Sequence, residues 1–328
     1  MNKKVGIALI GAVASMAPLA ATVGAAPGAA AAMTTSQSWT HMNPSTHPSA
    51  RQGAAMAYDA GTGQLILFGG ATNNALMNDT WSWNGTAWTR LSPPRSPSAR
   101  NNASMAYDAA TGQFVLFGGS NAEGWLDNTW LWNGKTWTKT ASGPSSDCSG
   151  KLAYDATSRQ LLLFTGVGTT WTWTGAQWSE LFPASSPPGS CAESLAYDAS
   201  TGLVTLFGGS NSSGILLTDT WVWDGTTWTR LTTADHPSAT INSYMDYDAQ
   251  SGRLVLFGGD VFVNNLFVDS SDTWEWDGTN WTQLYPPKHP TPRSTGHMAY
   301  DAATGQLVLF GGYSGSLAKD LGDTWVWK

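Results

Sequence analysis

Six copies of one sequence unit predict an all-β fold, as do a tryptophan register complete only when the chain ends are joined and a scarcity of helix-forming charged residues. The predicted architecture is a six-bladed β-propeller of four-stranded blades, its last blade closed by the N-terminal strand. In the 328 residues only 12% are charged and 41% hydrophobic, with 36 Gly and 19 Trp. Such a chain is too aromatic to be a disordered polyelectrolyte and too poor in charged, straight-chain residues for a helical bundle. The formal net charge of −7, with no basic run beyond the N-terminus, argues against nucleic acid as a partner.

The repeats justify the blades one strand at a time. A string close to Met-Ala-Tyr-Asp-Ala-x-x-Gly-x-Leu-x-Leu-Phe-Gly-Gly recurs around Tyr58, Tyr107, Tyr154, Tyr197, Tyr247 and Tyr300. It reads as two strands around a tight loop with glycine at the position of positive φ, as in Ala103–Asp108 and Gln113–Gly118. An Asp-Thr-Trp-x-Trp-Asp-Gly-Thr-x-Trp string or a relative follows, giving a third and a fourth strand; in the second repeat Asn133-Gly134 reads as a two-residue type I′ turn. The paired tryptophans, such as Trp130 and Trp132, project from one face of their strand and fill the gap between blades. Eighteen of nineteen tryptophans then fall in register, three per repeat, provided that Trp39 completes the repeat that stops at Lys328. A ring closed in this way needs no capping repeats.

Before the ring, Lys3 and Lys4 precede an apolar stretch, Val5 to Ala17, and an Ala-rich tail. This is the pattern of a secretory signal over 1–32, cleaved after about residue 25 to 32, and it leaves a single domain over 33–328. The expected product is exported, monomeric and without a membrane span.

Spacing locates the working face. Repeat Tyr to Phe is always ten residues and middle to third Trp always five, but Phe to first Trp runs 13, 13, 7, 14, 17 and 15. Length therefore varies in one connection, between the second and third strands, which emerges on the same side as the blade-to-blade links. Loops of unequal length over a rigid scaffold are where binding residues sit. Trp125, the one tryptophan outside the register, lies there and either stacks on a ligand ring or packs on a neighbouring loop. The longest loop, 260–271, is rich in Val and Phe; it either forms an exposed contact patch or folds over the channel mouth. Arg51, Arg100 and Arg293 each precede a repeat Tyr by seven residues, on consecutive blades. They either receive a carboxylate or sulfate near the axis or hold backbone carbonyls. His297 and Tyr244 complete the candidate binding set. Cys148 and Cys191, each six residues before a repeat Tyr on adjacent innermost strands, are expected to form a disulfide; free thiols or a metal pair are the alternatives.

Phe-Gly-Gly closing the second strand, Trp on the third and fourth strands, and Pro-x-x-Arg lead-ins at Pro48–Arg51, Pro97–Arg100 and Pro290–Arg293 resemble kelch repeats, as does Gly296-His297. The resemblance, of the galactose oxidase central-domain and secreted bacterial type, covers residues 38 to 328. It departs where Thr165-Gly166 replaces Gly-Gly and where Asp147, Ser190 and Thr240 stand at the arginine position. It implies a propeller and a range of functions that includes galactose oxidase, sialate mutarotases and non-enzymatic binding proteins. No ligand set for copper or zinc, nucleophile elbow or phosphate loop is legible, so no catalytic residue, metal or cofactor is expected. The leading expectation is a non-catalytic module for an extracellular glycan or protein. The alternatives are an architectural or surface-display propeller and a carbohydrate-active enzyme of mutarotase, epimerase or oxidase type.

Overall fold

The computed structural model describes residues 37–72, 75–145, 148 and 150–328. The expected secretory signal over 1–32 lies outside the described residues, as does Asp147. Six four-stranded antiparallel sheets follow in chain order, one per sequence repeat. The first is built from Ala55–Asp59, Gln64–Phe68, Thr80–Trp83 and Trp88–Leu91. In the last, the strands His297–Asp301, Gln306–Ser314 and Lys319–Trp327 are completed from the other end of the chain by Trp39–Met42. That strand pairs in the register Trp39↔Trp327 to Met42↔Thr324. The innermost strands touch in a closed circuit, the sixth against the first, so the sheets form a ring of blades.

The apolar core is correspondingly divided into six clusters, one in each gap between blades. Within each gap the tryptophan of a fourth strand is fully or nearly buried and packs on a Phe of the neighbouring blade, as Trp88 does on Phe310 at 5.2 Å between ring centres. An indole N–H taken from water needs an acceptor. All six of these tryptophans find the same one, the threonine just before the first tryptophan of the third strand in the adjacent blade. Trp39, Trp88, Trp137, Trp178, Trp228 and Trp281 donate to Thr273, Thr324, Thr80, Thr129, Thr170 and Thr220 at 2.8–3.1 Å. The threonine of Asp-Thr-Trp is therefore an inter-blade acceptor, and the bonds run once around the ring.

One face is uniform. The aspartate after each repeat Tyr accepts the backbone N–H two residues on, closing the first hairpin, as Asp59 does from Gly61. Gly112 takes φ 70° in that loop as expected, but in the third repeat Arg159 stands at the same place with φ 58°. The third-to-fourth hairpin differs from the sequence expectation. Trp132 pairs with Trp137 and Asn133 is not left-handed; Gly134 is, at φ 86°. The Asn133 side chain instead accepts the N–H groups of Lys135 and Thr136, so it closes the loop from outside the turn centre.

The other face carries the variable connections. In five of the blades the lead-in pairs with its own second-to-third connection, at Gln52↔Ala71, Asn101↔Ser120 and Ser294↔Tyr313, and as short strands in the fourth and fifth repeats. This puts blade links and variable loops on one side. The double glycine makes the close approach possible. A Cβ on Gly70, at φ 95°, would meet the Gln52 carbonyl oxygen at 2.8 Å. Among the described residues no helix is long and apolar enough to cross a membrane.

Candidate functional site

Two places on this scaffold present chemistry that the ring itself does not use: the variable-loop face and the cavity on the axis.

On the variable face the longest connection is a β-hairpin, Asp260–Val263 against Leu266–Asp269. It turns on Asn264 and Asn265, both left-handed (φ 51° and 65°), which suits a two-residue type I′ turn. The side chains of Phe262, Val263, Leu266, Phe267 and Val268 are 42–66% exposed, so of the two readings of this loop the exposed patch is the one observed. Phe262 and Phe267 pair across the hairpin at 5.1 Å. Together with Ile215, Leu216, Ala239 and Val261 they line an apolar groove of about 550 Å³ between the variable loops of the fourth and fifth blades. Trp125 lies on the same face, in the small hairpin Ser120–Asn121 and Gly124–Trp125, with 45% of its surface exposed.

The arginines behave otherwise than a ligand clamp requires. Arg51, Arg100 and Arg293 are at most 1% exposed and do not line the axial cavity. Arg51 holds Asp79 through both terminal nitrogens (2.6 and 3.0 Å) and the Gly69 carbonyl. Arg293 holds Asp323 and Gly311 in the same way. Burial alone would raise the Asp79 and Asp323 carboxyls, but the arginines bonded to them outweigh it and hold both below the usual range. Arg100 meets the neutral Asn128 and the Gly118 carbonyl, and burial lowers its pKa to about 10. These guanidinium groups staple each lead-in to its own blade. The alternative role named for them, holding backbone carbonyls, is the observed one.

Cys148 and Cys191 form a disulfide, with a Cα–Cα distance of 5.9 Å, between the lead-ins of the third and fourth blades. Gly166, in the shortest variable connection, lies against Cys148 Sγ so closely that a Cβ there would collide with the sulfur. The departure from Gly-Gly in that repeat thus coincides with the bridge.

His297 and Tyr244 line the axial cavity, which has a volume of about 380 Å³. At its uniform-face end stand the six repeat tyrosines; next comes an apolar ring of Met56, Met105, Leu152, Leu195, Met245 and Met298. At the variable-face end the residue five before the repeat Tyr turns left-handed in five repeats, at Gly53, Asn102, Ala192, Asn242 and Thr295. This turns backbone N–H groups sideways onto the next blade. Asn102 N–H donates to Gly53 O, Gly53 N–H to Thr295 O, Thr295 N–H to Asn242 O and Asn242 N–H to Ala192 O, at 2.6–3.2 Å.

Between collar and apolar ring the cavity wall is lopsided. The second blade offers Ala103 and Ser104; the third to sixth offer Lys151, Glu193, Ser194, Tyr244 and His297, with Asp246 nearer the tyrosines, below the apolar ring. Burial pushes the Glu193 carboxyl up to about 7 and the Asp246 carboxyl up to about 6, against the opposing effect of Lys151 on the first and of two backbone N–H groups on the second. Burial lowers Lys151, with Glu193 opposing. Burial, then Lys151, brings His297 down to about 3, so its ring is neutral. Burial raises the Tyr244 phenol, whose oxygen accepts the Gly296 N–H at 2.6 Å.

The family profile described as the KLHDC2/KLHL20/DRC7 Kelch-repeats domain matches residues 30–170. A solved structure described as "Structure of YjhT" aligns with a TM-score of 0.67 over 86% of this chain and 95% of that one. The fold is a β-propeller, and the match over residues 30–170 supports a kelch-repeat family for it. The aligned structure shares 14% identity with this chain, which speaks for the fold alone. No curated protein sequence matches the chain.

The sequence pattern had not singled out Lys151, Glu193 and Asp246. The signal was available in the repeat register. Three residues before the repeat Tyr, Lys151 stands where other copies carry Ala55 or Ser104; four before, Glu193 replaces Ala54 or Ala103; one before, Asp246 replaces alanine. A charged residue on an innermost strand, where its equivalents carry no charge, is a site-specific choice. Tyr244 and His297, which were singled out, stand at the Lys151 position on their own strands.

Proposed function

We propose that this kelch propeller is an exported binding module that captures an extracellular protein partner on its variable-loop face. The observation that carries the reading is the hairpin 260–269, which stands off a rigid ring with five exposed apolar side chains beside an apolar groove. A soluble protein rarely presents a contiguous apolar patch of this kind unless another surface covers it. Phe262 and Phe267 are the aromatic anchors such a contact uses, and Trp125 extends the same face. Kelch propellers serve as binding and scaffold modules, which supports the class.

The test places a photo-crosslinking side chain at Phe267 and, as control, at Lys135 on the uniform face, in protein exported by its own producing cells. A discrete crosslinked partner at Phe267, absent at Lys135 and lost with Phe262→Ser at unchanged Tm, is expected. Equal labelling at the two positions would sink the reading. A glycan-array hit abolished by Trp125→Ala would instead move the partner class from protein to glycan.

A further inference from the structure

The axial cavity holds opposite charges that the fold leaves unmatched. Lys151 and Glu193 sit on adjacent innermost blades and influence each other electrostatically. Glu193 is 1% exposed; its Oε2 accepts from Ser190 Oγ at 3.4 Å, and Oε1 has no hydrogen-bond partner. Neither oxygen is hydrogen-bonded to the Lys151 ammonium, which has no hydrogen bond or ion pair among the described residues. An unmatched buried charge carries a desolvation cost, and so does a buried oxygen without a donor.

The other polar groups of the wall are engaged or neutral. Asp246 accepts the N–H of Tyr247 on one oxygen and of Tyr300 on the other, at 2.8 and 2.7 Å. Asn242 donates to Asp260, and Ser194 pairs with Ser243. Ser104 accepts the Leu152 N–H. What remains is one ammonium with no hydrogen-bonded anion, one carboxylate oxygen without a donor, the Tyr244 phenol, and beneath them the ring of Met and Leu side chains.

We propose that the axial cavity is a binding site for a small aliphatic amino acid in its zwitterionic form, with carboxylate on Lys151, ammonium on Glu193 and side chain against the ring of methionines and leucines. A ligand with only one charge satisfies one of the two groups and leaves the other unmatched; a zwitterion satisfies both and adds no net charge to the cavity. Ser104 and Ser194, small at the position where Lys151, Tyr244 and His297 are large, leave the space, and 380 Å³ accommodates a ligand of this size. Tyr244, whose oxygen already accepts from Gly296, retains its hydroxyl proton for the carboxylate. The site is independent of the variable-face reading, since neither charged residue belongs to the hairpin or its groove.

Titration calorimetry on the purified protein tests it with three isosteric probes: L-leucine, 4-methylpentanoate, which lacks the ammonium, and 3-methylbutylamine, which lacks the carboxylate. Saturable binding of leucine is expected, with each single-charge analogue about tenfold or more weaker. Lys151→Met should abolish the preference for leucine over the amine, and Glu193→Gln the preference for leucine over the acid, with Tm measured for both variants. The proposal is overturned if wild-type protein takes up no leucine at millimolar concentration, or if either analogue binds as well as leucine. It is equally overturned if both folded variants keep the wild-type preferences.

Discussion

The two halves of the ring solve the same joint differently. In the sixth, first and second blades a buried arginine ties the lead-in to the second-to-third connection; in the third, fourth and fifth that arginine is replaced by Asp147, Ser190 and Thr240. The half without arginines holds the disulfide, the shortest connection, the longest hairpin, and Lys151, Glu193 and Asp246 on the axis. A repeat ring needs its joints closed everywhere, but not by the same chemistry. Where the repeated solution is abandoned, the individual features of the molecule collect.

That contrast can be broken from either side. Cys148→Ser with Cys191→Ser removes a bridge across 43 residues of sequence, worth about 4 kcal/mol in the chain-entropy picture. Chemical denaturation of the double variant should show a loss of that order, and reductant should reproduce it in wild type. Arg51→Ala leaves the Asp79 carboxylate facing a void and should cost about 3 kcal/mol, read in the same assay. Asp79, held low by Arg51, contributes stability above the usual carboxylate range that is lost on acidification, so the variant should lose this part of the acid sensitivity.

Glu193 has the opposite sign. Its carboxyl is raised by burial from the ordinary 4.5 to about 7, so the folded state binds more protons than the unfolded one between those values, and stability falls as pH rises through that window. Glu193→Gln should stabilise the protein more at pH 8 than at pH 4, by at most about 3 kcal/mol. The groups facing it, Lys151, Asp246, His297 and Tyr244, remain in the variant; Asp246, raised to about 6, leaves a smaller slope of the same sign. A pH-independent difference between variant and wild type would show that Glu193 does not titrate in that window.

The contrast can also be sharpened. The second blade's arginine has a neutral partner, Asn128, where the first and sixth have Asp79 and Asp323. Asn128→Asp should raise stability by about 1 kcal/mol and lift the pKa of Arg100. Arg159→Gly, at the one first-hairpin position where a side chain replaces the usual left-handed glycine, should raise Tm slightly, by less than about 1 kcal/mol in stability.

Most of the scaffold was legible because repetition writes each constraint several times over. Tyr-Asp, Gly-Gly, Asp-Thr-Trp and the odd placement of Trp39 each correspond to one recurring contact, and the cysteine pair follows from shared repeat position. The arginines were placed correctly along the chain, with their direction left open between the axis and the backbone carbonyls. A consensus position shows that a residue is needed, while whether it faces the axis or its own blade depends on an acceptor 28 or 30 residues away, Asp79 or Asp323. The axial residues were obscured for the opposite reason. Lys151, Glu193 and Asp246 each occur once, and a pattern built from agreement between copies passes over the place where a single copy disagrees. In the loop 260–269 the Asn264-Asn265 turn signal was present; the exposure of its apolar residues depends on neighbouring loops that sequence periodicity does not describe.

The seam of the ring has a mechanical consequence. Ser38 and Lys328 exchange backbone hydrogen bonds at 3.0 and 3.4 Å, at the outer edge of the last sheet and at the very ends of the paired strands. Tension applied between the two termini therefore loads that pair first and the next pair only after it has parted, as when a zip is opened, and the ring yields by peeling. Tension applied through one terminus alone never crosses the seam. A propeller of this build tolerates being tethered by either end, and is weakest when asked to carry load as a link between the two.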